Sequence, residues 1–475
     1  MIGRNLELRQ LRDAQNSDHS EFVAVYGRRR VGKTFLINET FNYQFAFHAS
    51  GTENAGRREQ LDLFRNSLRR QGRSGCPRLD SWVEAFYELE MLIEKLPPGK
   101  KAIFLDELPW FDTRRSGFLP AFENFWNEWA TSRRDILLII CGSATTWIID
   151  KVLRNRGGLY NRITRRIPLA PFTLRECEQY AEYKHLGFDR RQILEVYMTF
   201  GGVAYYWSLL QEGQSAAQNL DRLFFGRNGE LRDEFRSLFS SMFRLSDLHL
   251  KIVNQIGHIS GGTTRDELLK VFGKTIAGGD LSAALEELVQ CGFLNGYNEI
   301  GKKKKGIVYR LIDPYVIFYY KFIEGYSGND DHFWSRNYDS PMLNSWRGIA
   351  FERVCMAHVP EIKSALGISG IGSDVFSWRY PADAEEDGVQ IDMLIDRKDG
   401  VVNVCEIKYS DDEYDIDKEE DRKIRHRCDV FRRKSGIAKA VQPVMIAASG
   451  VKEGKYRGNI SRCVSGDDLF AAVLT

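Results

Sequence analysis

An apolar run, Phe22-Val23-Ala24-Val25-Tyr26, leads directly into Gly27-Arg28-Arg29-Arg30-Val31-Gly32-Lys33-Thr34, and this junction constrains the chain more than any other segment. The run reads as a buried strand, being short, apolar and rich in β-prone side chains. The eight residues after it satisfy every fixed position of a phosphate-binding loop: two glycines around four residues, then lysine and a hydroxyl side chain. The glycines let backbone N–H groups curl around phosphate oxygens, and the helix that follows brings its positive dipole end to the same place. Such a strand–loop–helix unit belongs to an α/β fold with a parallel sheet. Lys33 is expected to reach the β- and γ-phosphates of ATP and the Thr34 hydroxyl to ligate Mg2+. Gly27, Arg30, Val31, Gly32 and Phe35 complete the expected nucleotide contacts.

A second apolar run, Ala102-Ile103-Phe104-Leu105, ends in Asp106-Glu107. At a strand end, Asp106 would stand beside the Mg2+ and Glu107 near the attacking water. Two acids after a strand also fit a plain surface turn. A third run, Ile136 to Gly142, leads to Ser143. Its hydroxyl either senses the γ-phosphate or caps a helix.

Gly3-Arg4 with Glu7-Leu8, the arginine-rich cradle and Leu105-Asp106-Glu107 together resemble the AAA+/STAND-type ATPases of the archaeal ATPase family. Gly157-Gly158-Leu159-Tyr160-Asn161-Arg162 is similar to that family's Tyr-Gly-Arg segment, with Asn161 in place of glycine. The resemblance makes Arg162 a γ-phosphate sensor or arginine finger, with Arg165 and Arg166 as competitors; an exposed basic turn is the bland alternative. Gly201-Gly202-Val203-Ala204-Tyr205-Tyr206 is similar to the family's Gly-Gly-x-Pro-x-Tyr lid segment without its proline.

Residues 1–170 are therefore expected to form the P-loop ATPase core. Helical spacing of apolar residues predicts a lid packed on it over 171–245. Between 246 and 328 three short helices and a hairpin are predicted, an order that resembles a winged helix-turn-helix; the same family carries one at this place. The Gly301–Gly306 turn, with four lysines, suits contacts to backbone phosphate. Yet the third helix, Asp280 to Leu288, is acidic on its exposed positions, so a role in protein or interdomain contacts is equally open.

Asn329 to Ser345 reads as an irregular linker, and 329–475 as a last domain. There a helix carrying Glu352 precedes the alternating strand Val389 to Asp396, a turn at Lys398-Asp399-Gly400, and the strand Val401 to Lys408. A hairpin of this kind brings Asp392 near Glu406 and sets Glu406 and Lys408 on one face. Two converging carboxylates suit Mg2+ or Mn2+, and a cation so held activates water and neutralises charge on a phosphodiester. Lys408 would orient that water or stabilise the transition state. The helix–hairpin order and the Asp…Glu-x-Lys pattern look like the PD-(D/E)xK nuclease superfamily, an α/β restriction-endonuclease-like fold. That resemblance adds Glu352 to the centre. A hairpin with solvated acids is the alternative. Lys423, Arg425, Arg427, Arg432, Arg433 and Lys434 read either as a phosphate track or as an exposed mixed-charge helix.

Composition narrows the partners. The formal net charge of the 475 residues is +2, so polyanion binding must come from local patches. No stretch nears the roughly 20 apolar residues of a membrane span. Eight scattered cysteines without a Cys-x-x-Cys pair give neither a disulfide frame nor a zinc site, which points to the cytoplasm. Two functions follow as expectations. One is an ATPase coupled to a metal-dependent nuclease acting on DNA; the other is a regulatory or scaffolding switch, partnered by protein or by itself, whose nuclease-like domain binds without cleaving.

Overall fold

The computed structural model describes residues 2–143, 145–154, 157–243, 246–259, 262–297, 307–382 and 387–472. The chain falls into two compact units: residues 1–171 with 237–246, and residues 172–236 with 247–475.

The first unit is built on a five-stranded sheet of β1 (Glu21–Tyr26), β2 (Phe47–Ser50), β3 (Lys101–Asp106), β4 (Ile136–Gly142) and β5 (Arg165–Pro168). All neighbours run parallel, in the order β2-β3-β4-β1-β5. Every residue of β3 and β4 is buried, as a parallel sheet covered on both faces requires. Successive side chains of one strand go to opposite faces. Phe22 and Ala24 therefore join an aromatic-rich core with Phe47, Phe64, Trp82 and Trp126, while Val23 and Val25 pack with Leu36, Ile37 and Ile139. Because β4 lies between β1 and β3, the loops leaving these three strands stand side by side at one sheet edge.

The second unit begins with helices. Leu174–Tyr183 opens with a capping box between Thr173 and Glu176, which satisfies two otherwise unpaired backbone N–H groups. Arg190–Phe200 follows, capped by Asp189. Residues 246–311 supply helices Ser246–Gly257, Arg265–Phe272 and Gly278–Gln290 and three strands, β6 (Thr263–Thr264), β7 (Leu294–Tyr297) and β8 (Val308–Leu311). These strands pair antiparallel in the order β6-β8-β7. Leu281, Ala284, Leu285 and Leu288 bury one face of the third helix, leaving Asp280 and Glu286 outside, as the sequence implied. The lysine-bearing turn at 301–306 lies outside the described residues.

A second five-stranded sheet ends the chain: β9 (Ser373–Tyr380), β10 (Val389–Arg397), β11 (Val401–Lys408), β12 (Ala440–Ala447) and β13 (Arg462–Ser465). Its order is β13-β12-β11-β10-β9, antiparallel across β9, β10 and β11 and parallel across β11, β12 and β13. The helix Pro341–Ala357 precedes this sheet, and Lys418–Lys434 crosses from β11 to β12.

The expected linker at 329–345 is corrected. It holds the short helix Phe333–Arg336 and the first residues of Pro341–Ala357, whose cap is Ser340. Trp334 is fully buried there; its backbone N–H donates to Asp221 at 2.7 Å and its indole N–H to Glu195 at 2.9 Å. One aromatic anchor thus orders a segment whose composition reads as irregular.

Candidate functional sites

At the sheet edge of the first unit, the loop after β1 turns into the helix Lys33–Thr40. Gly32 caps that helix at φ 95°, a left-handed conformation that side chains disfavour. Gly27 is demanded by contact: a Cβ there would stand 2.2 Å from the Leu169 carbonyl oxygen. Lys33 is 5% exposed, and its ammonium donates to the carbonyls of Gly27 and Arg28, both at 2.9 Å. It also lies 3.5 Å from the Ser143 hydroxyl, at the end of β4.

Thr34 reaches the end of β3, where its hydroxyl is 3.2 and 3.1 Å from the two oxygens of Asp106. Asp106 is buried, and the neighbouring Cys141 thiol is driven well above its ordinary pKa, first by its own burial and then by the charge of Asp106. Glu107 accepts from both the backbone N–H and the hydroxyl of Ser143, at 2.9 and 2.5 Å. The Ser143 hydroxyl thus links Glu107 to Lys33.

A cavity of about 320 Å3 opens here, lined by Arg30, Gly32, Lys33, Thr34, Phe35, Glu107 and Ser143 among the anticipated residues. Val31 instead sends its side chain into the core, 1% exposed, so any part it takes in ligand binding runs through its backbone. Gly27 and Asp106 do not line it. Arg29, Gly51, Glu53 and Trp110 also line it and were not anticipated. Arg29 belongs to the loop itself; Gly51 and Glu53 follow β2 and Trp110 follows β3, and only the sheet order, which no local pattern encodes, could have revealed those three. Arg162 does not line the cavity; it is exposed on the turn after Leu159. Asn161 stands at φ 53°, a left-handed position that asparagine tolerates. Its competitor Arg165 is drawn away to Glu21, at 3.1 Å.

In the second unit the hairpin forms as its pattern implied. Met393 pairs with Cys405, the residues next to Asp392 on β10 and Glu406 on β11. Gln390 donates to Asp392 at 2.7 Å. Glu352 comes from the helix Pro341–Ala357. Its pKa is pushed up to about 7, first by burial and then by the negative charge of Asp392, with Glu406 adding to it. Burial opposes the charged form of Lys408, but Glu406 and Glu420 outweigh it and hold the ammonium above its ordinary pKa.

Lys408 lies 3.1 Å from Glu406 and 2.9 Å from Glu420. Arg427 makes a short ion pair with the other oxygen of Glu406. Glu420 and this use of Arg427 went unforeseen, since both are set by how the helix Lys418–Lys434 lies on the sheet. Of the two readings of that helix, its ion pairs match the mixed-charge one. Lys423 pairs with Glu419 at 2.7 Å, Arg432 with Asp429 at 2.8 Å, and Arg425 with Asp421, so these positions form a mixed-charge surface. Beside Glu352, the Arg353 guanidinium donates to the Leu311 carbonyl at 2.5 Å and so ties β8 to the helix bearing the acid.

Among the described residues no group of three or more His, Cys, Asp or Glu side chains gathers as a metal cluster. The donor chemistry still fits a hard divalent cation, because Asp392, Glu406 and Glu352 offer oxygens and their mutual repulsion is already felt by Glu352.

A lysine and a hydroxyl on a glycine-bounded loop, with acids on the strand two places along a parallel sheet, define a P-loop nucleotide-binding fold. Residues 1–210 match the family described as an ATPase domain predominantly from Archaea. An uncharacterized protein of Methanocaldococcus jannaschii is 23% identical over 368 residues, 76% of this chain and 77% of its own length. Among solved structures, the Walker-type ATPase of Pyrococcus abyssi is similar at 20% identity and a TM-score of 0.48, over 68% of this chain and 96% of that one. The Aeropyrum pernix ORC2 protein, in its ADPNP-ADP complexes, is similar at 15% identity and a TM-score of 0.41, over 67% and 92%. No described helix is long and apolar enough to cross a membrane.

Proposed function

We propose that the chain is an ATP-hydrolysing switch whose C-terminal unit acts on DNA through a divalent-cation centre. In the ATPase domain, Lys33 and the loop backbone hold the triphosphate, Thr34 and Asp106 hold Mg2+, and Glu107 with Ser143 prepares the attacking water. Arg162 is the residue proposed to complete the γ-phosphate contacts. In the C-terminal unit, Asp392, Glu406 and Glu352 hold Mg2+ or Mn2+, which when bound supplies charge neutralisation and an activated water. Lys408 orients that water. The three helices and three strands of 246–311 are read as a winged helix-like module.

The observation that carries the nuclease reading is the Glu406–Lys408 pair, 3.1 Å apart on one strand of a hairpin whose other strand bears Asp392, with Glu352 on the preceding helix feeling the charges of Asp392 and Glu406. A second reading, a regulatory or scaffolding ATPase whose C-terminal unit binds without cleaving, is favoured by the acidic outer face of the helix Gly278–Gln290. Labelled DNA and RNA are incubated with Mg2+ or Mn2+, with and without ATP, against the Glu406→Ala variant. Loss of a ligand is expected to slow cleavage by more than about 100-fold, because even outer-shell changes at metal sites cost 10–100-fold. Absence of metal-dependent cleavage in every condition sinks the nuclease reading and leaves the binding switch.

A further inference from the structure

In the first unit the helix Arg57–Arg70 buries Leu61, Phe64 and Leu68, and with them one polar side chain, Gln60, at 0% exposure. A buried amide is costly unless its donors and acceptor are used, and here they bridge two separate loops. The Gln60 Nε2 donates to the Thr52 carbonyl at 2.6 Å and to the Trp110 carbonyl at 3.0 Å, while its Oε1 accepts the Thr52 N–H at 3.2 Å. Thr52 belongs to the loop after β2, between the cavity-lining Gly51 and Glu53, and Trp110 closes the turn after β3. That turn begins at Glu107, whose carbonyl accepts the Trp110 N–H at 3.1 Å. Glu107 stands at φ 47°, ψ 47°, a left-handed conformation that non-glycine residues disfavour. Such a conformation persists where its neighbours enforce it. Gly51 is one of them, approaching so closely that a Cβ there would stand 2.5 Å from the Glu107 carbonyl oxygen. Gln60 then fastens this loop to the turn.

We infer that Gln60 is a positioning residue for ATP hydrolysis: by bracing the turn from Glu107 to Trp110 against the loop at Thr52, it holds the Glu107 carboxylate where the attacking water is prepared. This rests on the role proposed above for Glu107. The carboxylate meets the Ser143 backbone N–H at 2.9 Å and its hydroxyl at 2.5 Å, so its place depends on the backbone that carries it. The side-chain bonds of Gln60 go to the loops after β2 and β3, and none goes to the loop after β1 that bears Lys33 and Thr34. Hydrolysis and nucleotide binding therefore separate: Gln60 serves the first and leaves the second to the phosphate loop.

The test measures kcat for ATP hydrolysis and the affinity for a fluorescent ATP analogue on the full chain. Gln60→Met keeps the volume and removes all three bonds; Gln60→Asn keeps an amide one methylene too short to span both carbonyls. In Gln60→Met kcat is expected to fall about 10-fold to 100-fold, the scale of an ångström-sized displacement of a reacting group, with affinity within about threefold of the parent. Gln60→Asn should show a smaller fall with the same split, and it carries the test alone if Gln60→Met loses its thermal transition. An unchanged kcat overturns the inference, and so do kcat and affinity falling together, as a merely loosened core would give. In a Glu107→Ala background Gln60→Met should slow the residual hydrolysis no further, since nothing is left for it to position; a further fall of similar size there also overturns the inference. If Glu107→Ala hydrolyses ATP at the parent rate, the role given to Glu107 itself fails. If Glu107→Ala is impaired and Gln60→Met is not, that role stands and the bracing alone is wrong.

Discussion

Lys33→Ala is expected to weaken ATP binding by about 30-fold to 1,000-fold, the effect of withdrawing one side of a desolvated charge pair. Lys33 is 5% exposed and its ammonium is already held at the cavity by two backbone carbonyls at 2.9 Å. That arrangement keeps a positive charge where the phosphates arrive, so little side-chain ordering is left to be done on binding. Removing it deletes the charge and leaves the carbonyls of Gly27 and Arg28 facing the same anion. Thr34→Ala should behave differently, weakening the Mg2+-dependent part of binding and sparing the nucleotide alone, because its hydroxyl is beside Asp106 and not in the lysine's position. A fluorescent ATP analogue titrated with and without Mg2+ separates the two. A Lys33→Ala variant that keeps its thermal transition yet binds within threefold of the parent refutes the role given to this lysine.

The parts legible in the sequence are those whose chemistry is local. Phe22 to Thr34 announced a strand, a turn and the start of a helix in thirteen consecutive residues, and the Asp106-Glu107 pair ended an apolar run that read as a buried strand. The hairpin around Asp399-Gly400 was legible for the same reason: period-two alternation and a turn signal fix the register, and the register fixes which acids face each other. What escaped was set by packing between distant segments. Gly51, Glu53 and Trp110 reach the cavity because β2 neighbours β3 in the sheet. Arg427 looked like one of six interchangeable basic residues, and only the way its helix lies on β11 singles it out. Trp334 sat in a polar stretch with one clue, a large aromatic, and no sign of the two acids that receive it.

Those two acids matter most through Glu195, and Arg347→Ala is expected to destabilise the second unit by about 3–5 kcal/mol, the usual result of removing one partner of a buried pair. Arg347 and Glu195 are 1% and 2% exposed and lie 3.3 Å apart, although 152 residues separate them in sequence. The carboxylate also accepts from the Trp334 indole at 2.9 Å and the Tyr338 hydroxyl at 3.1 Å. The guanidinium donates to the Tyr338 carbonyl at 2.8 Å and to Asn344 at 3.0 Å. Alanine would leave a buried negative charge with neutral donors only. At about 2–4 °C per kcal/mol for a body of this size, the unfolding transition should fall by roughly 6–20 °C. Replacing both charges, Glu195→Leu with Arg347→Met, should recover most of that loss, since a desolvated pair returns little more than it costs. Equal losses in the single and double variants would show that volume, and not the orphaned charge, sets the effect. Arg347 stands five residues before Glu352 on one helix, so the same substitution should also disturb the acid centre. The double variant, which keeps the helix seated without the ion pair, should restore Glu406-dependent Mn2+ binding; if it restores stability but not binding, the charge pair itself is what aligns the helix.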